Sequence, residues 1–404
     1  MSTAHLIKSF YIYNMICLLV SLFVVSRLSR KLQWSLNRTI MYIILLYINF
    51  PVLKNAIYNP TLTDISAFSG GILVLYFFIN NNFKLLIISV FAMAFTWPSM
   101  LISSMPLILF RNLSLQEVDL KNKEIKSQNY PVFFFSVAVT LLVLYLYHSG
   151  YHPSNVSANS INKSLIISSF LMLFAYLYLS LRHFTFSKSL LFKDCYSYRE
   201  LIFRIIVCLT LYLSVHFIIA YYESGVPATL TMWSYIKAIY FSSIVNPGTF
   251  LVSHIMKFGP GILLLIIFWR KVVSLIHSHG LGLVLFSVIA LLMFVGPESR
   301  EFINLWPFFA FLACSVIQEQ YLTPSSIVKV LILALVTSRF WLSVNIAPWD
   351  ASALSNLMKF PAQLFFMNSG PWMSNRMYLV FLMYIIVFSI AIYSIFCSNS
   401  VGES

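Results

Sequence analysis

Apolar residues fill this chain in long runs, separated by short polar stretches that hold most of the charge. The runs 9–25, 131–147, 164–181, 201–220, 250–269, 281–295 and 377–397 are of spanning length for an α-helix or close to it. None shows the period-2 alternation of barrel strands, and backbone groups in lipid must be bonded within their own segment, so helices are required. Shorter runs predict further helices near 39–53, 65–79, 303–318 and 326–344. Pro98 and Pro106 interrupt 85–110, which predicts a hairpin of two short helices. The expected fold is all-α: one integral membrane domain over 1–404, polytopic, with about eleven transmembrane helices plus the proline-broken hairpin and no separate soluble domain.

Composition supports this. The 404 residues are 60% hydrophobic and 17% aromatic, with a mean hydropathy of +0.85, well above the apolar share of soluble domains. The 26 Lys and Arg outnumber the 12 Asp and Glu, and they cluster in short loops between apolar runs. That is the positive-inside pattern and not a nucleic-acid footprint. Five cysteines, Cys17, Cys195, Cys208, Cys314 and Cys397, are scattered without a Cys-x-x-Cys, so neither a disulfide framework nor a metal knot is expected. The first run follows only His5 and Lys8 and lacks a small-residue cleavage site, which predicts a retained helix. The expected location is an integral, multi-pass protein of an inner or plasma membrane.

The charge asymmetry orients the chain. Arg27, Arg30, Lys31 and Arg38 put the loop after the first helix inside, and 54–64 then lies outside. The hairpin keeps the basic loop 111–130 inside, and the regular alternation that follows places 222–247, 297–302 and 345–376 outside. Sorted by side, Glu117, Asp119, Glu124, Asp194, Glu200, Glu319 and Glu403 sit in basic inner stretches, where they balance charge. The other five acids, Asp64, Glu223, Glu298, Glu301 and Asp350, all map to the outer face beside the ends of apolar runs. Carboxylates gathered at one boundary are candidates for a general base. Arg300, Lys237, Lys257 and Arg376 on that face are candidates for binding an anionic group such as a lipid-linked phosphate.

Residues 297–307 form a short charged patch between two apolar runs, with Glu298, Arg300 and Glu301 falling within four residues of a chain that is only 9% charged. Ionisable groups beside spans are costly to place and mark candidate sites. The order Glu298, Ser299, Arg300, Glu301, Phe302, Ile303, Asn304, Leu305, Trp306, Pro307 resembles the Glu-x-Arg-Phe-Ile…Pro signature of lipid-linked-sugar mannosyltransferases of the GT-C superfamily. The resemblance covers some eleven residues, with Gly296 and Pro297 where the eukaryotic signature has His-Lys, and with Glu301 inserted before Phe302. It implies a multispan glycosyltransferase that takes its sugar from a polyprenyl phosphate on the outer or lumenal face. It also implies an acidic residue of the first outer loop as catalytic base, which here is Asp64. Glu298 would orient Arg300, and Arg300 would stabilise the leaving phosphate. Lys257, Glu223, Asp350 and Arg376 complete the expected substrate-binding set. The expected partners are membrane lipid and a lipid-linked sugar substrate.

Other chemistries fit less well. His148 and His152 are separated by a helix-breaking Gly150, and His277 and His279 lie two apart, so no metal site is expected. No P-loop, dinucleotide fingerprint or Gly-x-Ser-x-Gly occurs, so no cofactor is expected. A surface-polysaccharide polymerase or ligase ranks second, since it would want several Arg in large outer loops. A transporter or flippase ranks with it, since ionisable residues in mid-span and internal repeats are lacking.

Overall fold

The computed structural model describes residues 3–55, 61–113, 129–151, 161–184, 198–222, 232–342, 370 and 373–397. Sixteen α-helices and no strands occur among these residues. The first five are α1 (Thr3–Lys31), α2 (Leu36–Tyr47), α3 (Asp64–Ile79), α4 (Phe83–Ala94) and α5 (Ser99–Leu109). There follow α6 (Asn129–His148), α7 (Ile166–Leu181), α8 (Tyr198–Tyr222), α9 (Met232–Ser242), α10 (Thr249–Phe258) and α11 (Pro260–Ile267). The last are α12 (Trp269–Ser278), α13 (Leu281–Met293), α14 (Trp306–Ser315), α15 (Pro324–Ser338) and α16 (Asn375–Phe396). Several starts are set by side-chain caps: Ser35, Asn82, Thr323 and Ser374 each accept from the backbone N–H three residues on.

Five helices are long and apolar enough to cross a membrane, or six if α11 and α12 form one bent span. Seven more are apolar but only 10–17 residues long. At 1.5 Å per residue, α3 reaches about 24 Å, short of a ~30 Å hydrocarbon core. The long helices form a rim whose outward side chains, such as Leu19, Phe134, Phe217 and Met383, are exposed. The short ones make the interior: α3, α10 and α14 are buried along nearly their whole length. α14 packs on α2, α3 and α11, and α10 packs on α11, α15 and α16.

One expected hairpin is present and one expected span is broken. The stretch 85–110 is indeed two packed helices, α4 and α5, broken at Thr96, Trp97 and Pro98. The run 250–269, expected as one span, is broken at Gly259, whose φ of 73° puts it outside the helical region. Pro260 then supplies no N–H and starts α11 afresh. A second break at Phe268 turns α12 by 84°.

Side-chain contacts fix the relative direction of two helices. At one end Arg38 pairs with Glu319 at 3.1 Å, and Asn37 Nδ2 donates to Leu322 O at 2.8 Å. At the other end of the same two helices Lys54 Nζ donates to Leu342 O at 2.5 Å. α2 and α15 therefore run parallel, from the basic face to the face that carries Asp64. On the basic face, Asn81 and Asn112 exchange side-chain to backbone hydrogen bonds at 2.9 Å, and His279 Nδ1 donates to Asn112 Oδ1 at 2.8 Å. These bonds lock the α3–α4, α5 and α12–α13 connections together.

α3 and α14 touch where Gly71 faces the Asn304 carbonyl, and a Cβ there would fall well inside van der Waals contact with that backbone oxygen. Backbone cannot rotate away as a side chain can. Gly71→Val is expected to lower stability by about 2–3 kcal/mol, read as a lower midpoint of thermal unfolding in detergent. A midpoint equal to wild type would show that these two helices are not closely apposed.

Candidate functional site

Asp64 is the first residue of α3, where the N-terminal end of the helix dipole favours a carboxylate. Its side chain is 1% exposed. A buried carboxylate needs a partner, and Arg300, 236 residues away in sequence, provides it. Nε donates to both Asp64 oxygens at 3.2 Å and Nη2 donates to Oδ1 at 3.0 Å. Such a fork fixes the guanidinium plane as well as its position. The Arg300 side chain remains 31% exposed, so part of its donor set faces outward.

The turn that carries Arg300, Ser299–Phe302, is itself anchored by α10. His254 Nε2 lies 2.9 Å from Phe294 O, and a carbonyl only accepts, so Nε2 carries the proton. Nδ1 faces Ser299 Oγ at 2.9 Å. The His254 ring lies 4.6 Å from Phe294 and 5.0 Å from Phe302, closing a buried aromatic cage behind the turn. Sequence reasoning passed over His254, one of three polar residues, with Ser253 and Lys257, in the apolar run 250–269. Its only signal is the i, i+3 spacing to Lys257, which puts both on one helix face.

Lys257 is buried and lies within electrostatic reach of Asp64, Glu298, Arg300 and Arg339. Its Nζ sits 4.6 Å from the Phe50 ring, and the Arg339 guanidinium lies 4.1 Å from the same ring. Cation–π contact is favourable for charges removed from water. Arg339, also missed in the sequence, ends α15 in the left-handed region with φ 54°, and its Nη2 donates to Met256 O at 3.1 Å. A non-glycine residue held there stores strain of the kind found at functional sites.

Two more carboxyls edge the pair. Burial pushes Glu298 above the ordinary range, against the opposing pull of Arg300 and Lys257. Burial pushes Glu301 up to about 7, opposed by a hydrogen bond to Tyr235 and by Arg300 and reinforced by Glu298. The Glu301 backbone is held too, since Trp97 Nε1 donates to its carbonyl at 3.1 Å. Glu301 and Tyr235 form the polar end of a 740 Å³ cleft between α5, α9 and α13. Its walls are otherwise mostly apolar, with Ile102, Ile239, Leu292 and Met293 among them.

No family model, curated protein or solved structure matches this chain. The structure brings together Asp64, Glu298, Arg300 and Lys257 of the expected residues. Arg376 is exposed in the first turn of α16, and no ion pair joins it to this group among the described residues. Lys237 instead lies over Trp233 at 5.3 Å and Tyr151 at 5.8 Å. Glu223 and Asp350 lie outside the described residues. No group of three or more His, Cys, Asp or Glu suited to a metal converges among the described residues.

A carboxyl whose pKa is raised by folding binds its proton more tightly in the folded chain, so it subtracts stability as pH rises through that interval. For Glu301 the loss is expected between about pH 4.5 and about 7, and to be complete above that. Glu301→Gln removes the titration. Thermal unfolding of the variant across that range is expected to flatten relative to wild type and to end higher at pH 8 or so. Parallel curves would mean that Glu301 is solvated like a surface carboxylate.

Proposed function

We propose that this protein is a membrane glycosyltransferase that moves a sugar from a polyprenyl-phosphate donor to a lipid or surface-glycan acceptor on the outer face. The observation that carries this reading is the Asp64–Arg300 fork, with its partly exposed guanidinium, next to a cleft walled for hydrocarbon. Cation and apolar channel side by side suit a substrate that is a phosphate at one end and a long chain at the other. The Glu-x-Arg…Phe-Ile resemblance agrees with that substrate class, and so do the five or six helices long and apolar enough to cross a membrane.

In this reading the donor phosphate lies against Arg300 with Lys257 behind it, and the polyprenyl chain runs along α5, α9 and α13. The acceptor oxygen attacks the anomeric carbon, the bond from that carbon to the phosphate oxygen breaks, and the electron pair leaves with the phosphate. Arg300 and Lys257 stabilise the charge that builds there. Asp64, with both oxygens engaged by Arg300, suits the work of aiming the guanidinium. The acceptor proton goes to Glu301, whose carboxyl is poised near neutrality beside the open cleft. Glu298 tunes the pair electrostatically.

The test is release of polyprenyl phosphate and formation of glycosylated product by purified protein in mixed micelles, with glycan profiling of the producing cells. Arg300→Ala and Asp64→Asn are each expected to lower turnover by about 10²-fold or more. Glu301→Gln is expected to lose the rise in rate with pH near 7. Folded variants with wild-type turnover and unchanged glycans would reject the transferase reading.

A further inference from the structure

A second cationic group lies on the opposite, basic face. The 84° turn at Phe268 lays α12 across the end of α11, with Val272, Val273 and Ile276 buried and Arg270 and Lys271 exposed. A helix with that division of faces suits the membrane interface. Beside the turn a 590 Å³ groove runs between α7, α11 and α13, walled by Met172, Ala175, Leu179, Leu265 and Leu291 among others. Arg182, His183, Arg270 and Lys271 line its only charged end among the described residues.

These cations differ from the others on the same face. Arg38 is paired with Glu319 and Arg204 with Glu200, whereas no carboxylate pairs with Arg182, Arg270 or Lys271 among the described residues. Their recorded partners are rings and a neutral nitrogen. Arg182 lies 5.8 Å from Tyr178, Lys271 lies 5.5 Å from Phe268, and Arg182 Nε donates to His183 Nε2 at 3.2 Å. Burial and then the two guanidinium neighbours hold His183 below its ordinary pKa, so the ring adds no charge but reports an uncompensated positive field. The α7 stretch that walls the groove, 172 to 180, rises about 12 Å, and with Arg182 and His183 just beyond it the groove covers roughly half of a ~30 Å hydrocarbon core. That is the depth of one leaflet.

We infer that this groove is a binding site for an anionic phospholipid of the leaflet on the basic side. Its phosphate is held by Arg182, Arg270 and Lys271, and one acyl chain lies between α7, α11 and α13. A Lys or Arg near an anionic headgroup contributes on the order of 1 kcal/mol, so three together separate an anionic from a zwitterionic lipid easily. The site is independent of the transferase reading, being on the other face from Asp64 and sharing no residue with it.

The full-length protein, purified in mild detergent and exposed to equal phosphatidylglycerol and phosphatidylcholine, tests this by native mass spectrometry of retained lipid. Wild type is expected to keep one phosphatidylglycerol in preference to phosphatidylcholine by about tenfold or more. Arg182→Gln, Arg270→Gln and Lys271→Gln combined are expected to abolish that preference. Ala175→Trp fills the groove with the charges intact and is expected to lose the retained lipid altogether. Should the triple variant fail to fold, Arg270→Gln with Lys271→Gln, both at exposed positions, carries the same comparison. A preference that survives neutralisation, lipid retained by Ala175→Trp, or competition by glycerol phosphate as strong as by the intact lipid would each overturn the site.

Discussion

An aspartate that is 1% exposed, in a protein whose interior is hydrocarbon-like, is tolerable only because an arginine from the far end of the chain reaches it. Removing one partner of a buried pair leaves a charge without compensation, which is why such a contact constrains everything that supports it. Arg300 can make its fork only if the Ser299–Phe302 turn is held rigid, and His254 does this from α10 through Ser299 and Phe294. α10 in turn is pinned at its end by Arg339 on the Met256 carbonyl. The pair therefore joins α3, the α13–α14 turn, α10 and α15 into one interdependent unit, and the close approach of Gly71 to Asn304 is the packing that lets α3 stand near enough.

The two faces handle positive charge differently, and burial is the reason. Lys257 and Arg339 are enclosed, so their charges are met by the Phe50 ring, a backbone carbonyl and nearby carboxylates. Arg270 and Lys271 are exposed, so solvation needs no buried partner for either charge. Positive-inside asymmetry is usually treated as a matter of insertion. Here some of the residues counted in that asymmetry, Arg182, Arg270 and Lys271, also form the charged end of an apolar groove.

Much of the helical layout was legible because hydrophobic run length and proline position are strong, local signals. Pro98 sits at the break between α4 and α5 where the sequence puts it, and charge counting put Asp64, Glu298 and Arg300 on a common side, which the contact between Asp64 and Arg300 agrees with. The break at Gly259 was masked by hydropathy: an uninterrupted apolar run reads as one span although Gly259 and Pro260 stand in its middle. His254, Tyr235 and Arg339 were not legible as a group, because they stand on different elements: tertiary packing brings His254 and Tyr235 to the Ser299–Phe302 turn and Arg339 to the end of α10. About eleven spans were expected because every apolar run of near-spanning length was counted as a crossing; run length does not distinguish a rim helix from a buried one.

That distinction explains where the site sits. A helix of 10 to 16 residues, such as α14 or α3, is about 15–24 Å long and cannot bring both of its ends to the two water boundaries of a ~30 Å core. At least one end must lie at hydrocarbon depth, where unsatisfied backbone groups are untenable unless protein surrounds them. The rim of long helices supplies that surround, and polar side chains then become tolerable below the boundary: Asp64 at the start of α3, Ser299 and Arg300 ahead of α14. Short interior helices are thus the condition for a charged site recessed within the bundle, and they place the Asp64–Arg300 pair close to the mostly apolar cleft that Glu301 edges.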